Sequence, residues 1–319
     1  VNTLMTYDQI IRWLLEGDVS IQYQVHRDLL GEDKAELQER IAFEGWGAEF
    51  LSRRNAAGHW GDRFYQPKWI STHYTVLDLK KLGISRTQPE TRESILQVLE
   101  TLKGPDGGIF PIGIANKSDV CVNGMFLNYA AYFKVDERHL TSIIDFLLIE
   151  CMKDGGFNCY SNSNTIEPIH SSMHSTISVL EGFFEYSSNQ YAYRLSDIQK
   201  SAQSAQKFLL KHRLFQSHRT GEIIDKKMLM LSYPSRWKYD ILRALDYFRL
   251  SGVNFDFRMQ DAIDILLSKR LIDGRWPVQS KHPGQTHFEM EKVGKPSRWN
   301  TLRAMRTLKY FGQIQNCAT

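Results

Sequence analysis

Four cysteines, Cys121, Cys151, Cys159 and Cys317, stand at spacings that make no regular framework. In a reducing cytoplasm, the compartment such usage favours, a cysteine is read as a metal ligand or nucleophile before it is read as half of a disulfide. Cys121 follows Asp119 by two positions, and His170 and His174 stand four apart, a spacing that shares one face of a helix. Cations beside tryptophan recur as Lys68-Trp69, Arg236-Trp237-Lys238 and Arg298-Trp299, each preceded within two residues by proline. Proline opens helices well, but a cation at a helix N-terminus is unfavourable without a partner. Arg236 and Arg298, with Trp69, Trp237 and Trp299, are therefore candidate substrate-binding groups; the competing reading for the rings is packing on a neighbouring turn. Asp240 is a candidate acid or base, or else a carboxylate placed on a positive helix end. His73, just inside its own helical segment, is a candidate catalytic group or a hydrogen-bonded core histidine. The polar stretch from Lys281 to His287 reads as a mouth loop or a solvated linker.

The elements that must position these groups come from a chain of 319 residues, 42% hydrophobic and 24% charged, an ordinary globular composition. Its net charge of +4 is too small and scattered for a nucleic-acid-binding stripe. No run approaches the ~18 apolar residues of a membrane span and the start lacks a signal-peptide pattern, so a cytoplasmic protein is expected, with peripheral membrane contact left open. Aromatic residues make up 12%, which calls for a wide core, a cavity wall, or both.

A glycine turn repeats along the chain. It reads Ala57-Gly58-His59-Trp60, Asp106-Gly107-Gly108-Ile109, Asp154-Gly155-Gly156-Phe157, Thr220-Gly221-Glu222-Ile223 and Asp273-Gly274-Arg275-Trp276. The last residues of these units lie 49, 48, 66 and 53 positions apart. Each turn precedes a loop and then a segment of helical apolar spacing: 72–82, 121–133, 175–186, 239–250 and 299–311. Second helical stretches over 93–102, 142–151, 198–212 and 259–270 lie between, with 37–53 ahead of the first turn and 20–30 earlier still. Strand signals are poor throughout. About six helix pairs result, able to stack as an open solenoid or to close on themselves.

These turns and the helices after them resemble the repeats of squalene and oxidosqualene cyclases and of the β subunits of protein prenyltransferases. The resemblance runs from about Ser20 to Phe311 and implies an all-α fold, the (α/α)6 toroid of six inner and six outer helices, in a single domain over residues 1–319. Triterpene cyclases carry two such barrels; this chain has residues for one, the prenyltransferase arrangement.

The same resemblance implies a metal. In protein prenyltransferases an inner helix opens with Asp-x-Cys, both residues bind Zn2+, and the third ligand is a histidine at the start of the next inner helix. Here those places hold Asp119, Cys121 and His174, with His170 as the other candidate. The family's histidine falls nearer Ser175, one residue later. Oxygen, sulfur and nitrogen ligands together suit a tetrahedral Zn2+ with one open position. The competing readings are an N-cap for Asp119, a small buried hydrophobe for Cys121 and a loop hydrogen bond for His174. Cys159 is a rival ligand placed on a turn. The family's diphosphate-binding Arg, Lys and Tyr are replaced by Gly113, Asn116 and Val122, with Lys117 one residue out of register.

The leading functional expectation is a Zn2+-dependent, prenyltransferase-like enzyme acting on an isoprenoid or other apolar small molecule. A metal-free terpenoid cyclase and a non-catalytic apolar-ligand-binding toroid are the alternatives. The acidic runs with which triterpene cyclases protonate an alkene are absent, leaving Asp240 as the candidate acid. Nothing in the chain shows or excludes a partner subunit.

Overall fold

The computed structural model describes residues 4–110, 117–159 and 168–314. Among them the chain is all-α: α1 (Tyr7–Leu15), α2 (Val19–Val25), α3 (Ala35–Arg40), α4 (Gly45–Ser52), α5 (Thr72–Leu82), α6 (Pro89–Thr101), α7 (Val120–Tyr132), α8 (Thr141–Ile149), α9 (Met173–Ser188), α10 (Leu195–Lys211), α11 (Ile241–Leu250), α12 (Gln260–Ser268) and α13 (Arg298–Tyr310). Bridging between extended residues is confined to isolated pairs. All but one of the expected helices are present with ends displaced by up to four residues, and the 20–30 segment continues past α2 as a wider helical turn over His26–Leu30. The expected helix over 37–53 is instead broken into α3 and α4, because Gly45 turns left-handed (φ +60°) and Asp18 Oδ2 accepts the Trp46 amide at 2.8 Å.

The repeated turns have one physical origin. Gly58, Gly107, Gly155, Gly221 and Gly274 all sit at φ between +73° and +93°, where only glycine is unstrained. The turn then delivers its last side chain into the core: Trp60, Ile109, Phe157 and Trp276 are at most 1% exposed. The amide of that residue is held by a side chain of the following helix. Trp60 N donates to Thr72 Oγ1, Phe157 N to Thr176 Oγ1 and Trp276 N to Thr301 Oγ1, each at 3.0 Å, and Ile109 N donates to Asn123 Oδ1 at 2.7 Å. A second link joins the turn to the loop: Asp106 accepts the Ser118 amide and hydroxyl, and Asp154 those of Ser171. The turn at Thr220–Ile223 departs from this pattern, with Ile223 43% exposed, and it follows the longest repeat.

The chain packs as two compact units. Unit 1 comprises residues 1–52, 81–84 and 212–319, so it gathers both ends of the chain; unit 2 comprises 53–80 and 85–211. In unit 1, α2 packs against α13, and α13 against α11. Arg306 on α13 binds this junction, donating to Gln24 Oε1 at 3.0 Å, to Asp28 at 2.8 Å and to both oxygens of Asp246 on α11. Helices from near the two ends of the described chain thus meet within unit 1. In unit 2, α7 and α9 pack most intimately. A Cβ on Gly124 would lie 2.7 Å from Val179 N, and one on Gly182 would lie 2.5 Å from Gly124 O, so both glycines are where the backbones approach.

Candidate metal and substrate site

Asp119 caps α7, its Oδ1 accepting the Val122 amide at 3.1 Å. The same oxygen accepts from the Cys121 thiol at 3.0 Å and from the Cys159 thiol at 3.1 Å. The Cys121 amide donates to Cys159 Sγ at 3.3 Å. Asp119, Cys121 and Cys159 thus bring one carboxylate oxygen and two sulfurs within 4.8 Å of one another. The expected N-cap and the expected ligand pair are the same residues: α7 begins where the carboxylate turns to its first amides, and that turn carries Cys121 inward. Cys121 is buried, and its thiol is pushed well up, first by its hydrogen bond with Cys159, then by burial and the nearby charges of Cys159 and Asp119.

His174 is not the third member of this group. The residue of α9 that faces it is Ser175, whose hydroxyl lies 3.1 Å from Cys159 Sγ. One residue on a helix is about 100° of rotation; His174, half-buried, lies outside the group of three, and its carbonyl accepts from Ser178 Oγ at 3.0 Å. His170 is exposed, and its carbonyl accepts from Asn158 Nδ2 at 2.7 Å. That bond stays in the loop that carries Cys159. The register offset between His174 and Ser175 was visible in the sequence; the return of the 156–159 turn onto the start of α7 was not. Lys117 pairs with Glu150 at 2.8 Å, Val122 is buried, and Gly113, Asn116 and Cys317 lie outside the described residues.

Beside the three donors stands a wall of rings from the first turn of α5, its preceding loop and α7. His73 contacts Phe64, Tyr65, Tyr74 and Tyr129 with centroid separations of 4.8–5.6 Å, and Phe126 adjoins Phe64 and Tyr129. Tyr65 and Tyr74 share a hydroxyl hydrogen bond of 3.0 Å. Burial, followed by the Cys121 charge, pushes the Tyr65 phenol up, so it stays protonated beside the cysteines. Lys68 lies 5.5 Å from the Tyr65 ring and 5.3 Å from the Trp69 ring; burial lowers its ammonium, and the charges of Cys121 and Asp119 oppose that. Trp69 itself is buried edge-on against Tyr74.

His73 is fully buried and pushed down to about 3, by burial first and then by the Lys68 charge, so its imidazole is neutral at pH 7. Its Nδ1 lies 3.2 Å from Tyr129 Oη, and among the described residues its Nε2 has no hydrogen-bond partner. The expected core histidine and the expected catalytic candidate are therefore one residue, hydrogen-bonded at one nitrogen and buried at the other without a partner among the described residues.

The remaining candidates belong to unit 1. Asp240 caps α11, accepting the Arg243 amide at 2.8 Å, and Arg236 is buried in the loop before it. Trp237 lies under Lys238 at 3.7 Å. Trp299 stacks between Tyr233 and Trp46, a packing role. Arg298 turns to α1, donating to the Trp13 carbonyl at 2.9 Å and lying over that ring at 4.6 Å, so its cation fastens one helix to another.

No family model matches this chain, and no curated protein matches it. Solved structures do. A glycosyl hydrolase of family 88 from Bacteroides vulgatus matches at 12% identity and a TM-score of 0.48, covering 92% of this chain and 89% of that one. An aspartate-to-alanine variant of the type II terpene cyclase MstE from Scytonema, in complex with the product merosterolic acid A, matches at 15% identity and a TM-score of 0.35, covering 96% of this chain and 99% of that one. The apo form of the same cyclase matches at 15% identity and a TM-score of 0.35, covering 86% and 96%.

Proposed function

We propose that this chain is a zinc-dependent enzyme acting on an isoprenoid or other apolar substrate, with the metal held by Asp119, Cys121 and Cys159. The observation that carries this reading is the convergence of one carboxylate oxygen and two thiols within 4.8 Å, against an aromatic wall. Sulfur donors favour Zn2+ over Mg2+ or Ca2+, which take oxygen. Three protein ligands leave a fourth position for water or substrate, as in catalytic zinc sites. When bound there, the metal would hold a thiol or water in its anionic form near neutral pH.

The chain's own groups do the rest. Phe64, Tyr65, Phe126 and Tyr129 exclude water and bind apolar surface; Lys68 supplies a positive charge at the edge of that wall. His73 offers Nε2 to one polar atom of an otherwise apolar molecule. The reaction that fits is transfer of a group to a metal-activated nucleophile.

Metal analysis after zinc loading and dialysis tests the reading. It expects about one zinc per chain, as a three-ligand site holds, with loss on Cys159→Ser and retention on His174→Ala. A wild-type chain that retains well under half an equivalent sinks it. The metal-free cyclase alternative draws on Asp240, whose burial raises its carboxyl above the ordinary range, as an acid requires. That alternative would show turnover of a linear polyprenyl substrate that survives chelation and is lost in Asp240→Asn.

A further inference from the structure

A group of residues in unit 1 stands outside the metal reading. The Ser235–Lys238 loop is folded over the first turn of α11, where Arg243 Nη1 donates to the carbonyls of Arg236 at 3.3 Å and Lys238 at 2.8 Å. Lys81 Nζ donates to Ser235 Oγ at 3.3 Å. Arg236 is 4% exposed and sits at φ +56°, a left-handed backbone that costs a non-glycine residue energy and that clusters at binding sites. The fold therefore delivers this guanidinium inward against both desolvation and backbone strain.

Arg243 and Arg303 are buried as well, while Lys81, Lys238 and His282 are half-buried and give the group a side that solvent reaches. These groups interact with one another electrostatically. Burial, then Lys238, Arg236 and Lys81, push the His282 imidazole down to about 4, and Arg303, Arg243 and Lys81 all act on Asp240. Asp240 is an acid on which these cations act, while Arg303 also pairs with Asp246 at 3.7 Å. The Oδ1 of Asp240 caps α11, but its Oδ2, in a residue 1% exposed, has no hydrogen-bond partner among the described residues. A buried carboxylate oxygen left without a donor is costly, and it points to a ligand that brings one.

We propose that Asp240, Arg236, Lys238 and Lys81 form a binding site for a phosphate group that keeps one proton. The ionised phosphate oxygens accept from guanidinium and ammonium groups, and the P–OH donates to Asp240 Oδ2. Sulfate has the same shape and charge but no proton, so it sets an oxygen against the carboxylate. The site is independent of zinc.

Calorimetric titration of the whole chain at pH 7, with chelator and matched ionic strength, tests this with inorganic phosphate and sulfate. Phosphate should bind about tenfold or more tightly than sulfate, the worth of one hydrogen bond to a charged group. Asp240→Asn keeps the cap, since asparagine caps as well as aspartate, but its amide can donate to either anion, so the preference for phosphate should vanish. Arg236→Gln should weaken both anions about tenfold, by loss of a charge-assisted bond. Butyl phosphate separates the sources: tighter binding than inorganic phosphate assigns a phosphorylated apolar molecule, and equal binding assigns the free anion. No heat with either anion, equal affinity of the wild type for phosphate and sulfate, or a preference that survives Asp240→Asn would overturn the assignment.

Discussion

Replacing Gly124 by alanine sets two physical effects against each other. In a helix interior, alanine stabilises over glycine by about 1 kcal/mol, because glycine loses more backbone freedom on folding. Against this, the new Cβ would sit 2.7 Å from Val179 N and 2.8 Å from the Ser178 carbonyl carbon and oxygen, short of the 3.4 Å at which ordinary contact begins. Those neighbours are backbone atoms of α9 and cannot rotate away, so α7 and α9 must separate by roughly 0.7 Å. Overpacking of this kind costs up to about 3 kcal/mol. The balance is a loss of about 2 kcal/mol, or a Tm lower by about 4 °C for a chain of this size. Asp119 and Cys121 stand at the start of α7 and Ser175 at the start of α9, so the same shift should weaken zinc binding. Thermal unfolding of Gly124→Ala beside wild type is the assay. An unchanged or raised Tm would mean that propensity wins, and would refute the claim that these helices meet backbone to backbone.

Two further outcomes follow from the packing. Thr176→Val and Thr301→Val remove the partners of the buried Phe157 and Trp276 amides and should each cost about 1–3 kcal/mol in denaturant unfolding; values near zero would show that the turns are not held by these bonds. Burial alone would raise the Asp246 carboxyl, but Arg306, Arg249 and Arg303 outweigh it and hold it well below the ordinary carboxylate range. Its folded pKa lies below its unfolded one, so the stability it contributes is complete above about pH 5 and is lost as pH falls through the unfolded value toward the folded one. Asp246→Asn should cost about 3–5 kcal/mol at pH 7, the cost of breaking a buried pair, and should flatten the acid limb of the stability profile. A limb as steep as wild type would place the acid sensitivity elsewhere.

The repeat was legible because one local event recurs: a glycine at positive φ, a large apolar side chain turned inward, and a polar residue on the next helix that takes its amide. Asp106 with Ser118 and Asp154 with Ser171 are the same event seen one step later. The turn at Gly221 keeps the glycine and loses the burial, so local spacing alone over-reads it. The helix over 37–53 misled for a related reason. Its periodicity is sound on both sides of the break, and the break is made by Asp18, distant in sequence.

The candidate site divides the same way. Asp119 and Cys121 were readable, since cap and ligand share one helix start and lie two residues apart. Cys159 was readable only as a rival ligand on a turn, and Ser175 only as the nearer register for the family's histidine; their meeting with Asp119 and Cys121 depends on how a loop returns to another helix and on rotation about a helix axis. Residue types and local periodicity determined the all-α repeat, the turn positions and two of the three donors. Tertiary structure decided which atoms meet: whether Arg298 meets α1 or a ligand, whether His73 Nε2 finds a partner, and whether two cysteines 38 residues apart come together. Helical periodicity is written within one turn of a helix, whereas convergence of side chains is set by packing between segments far apart in the chain.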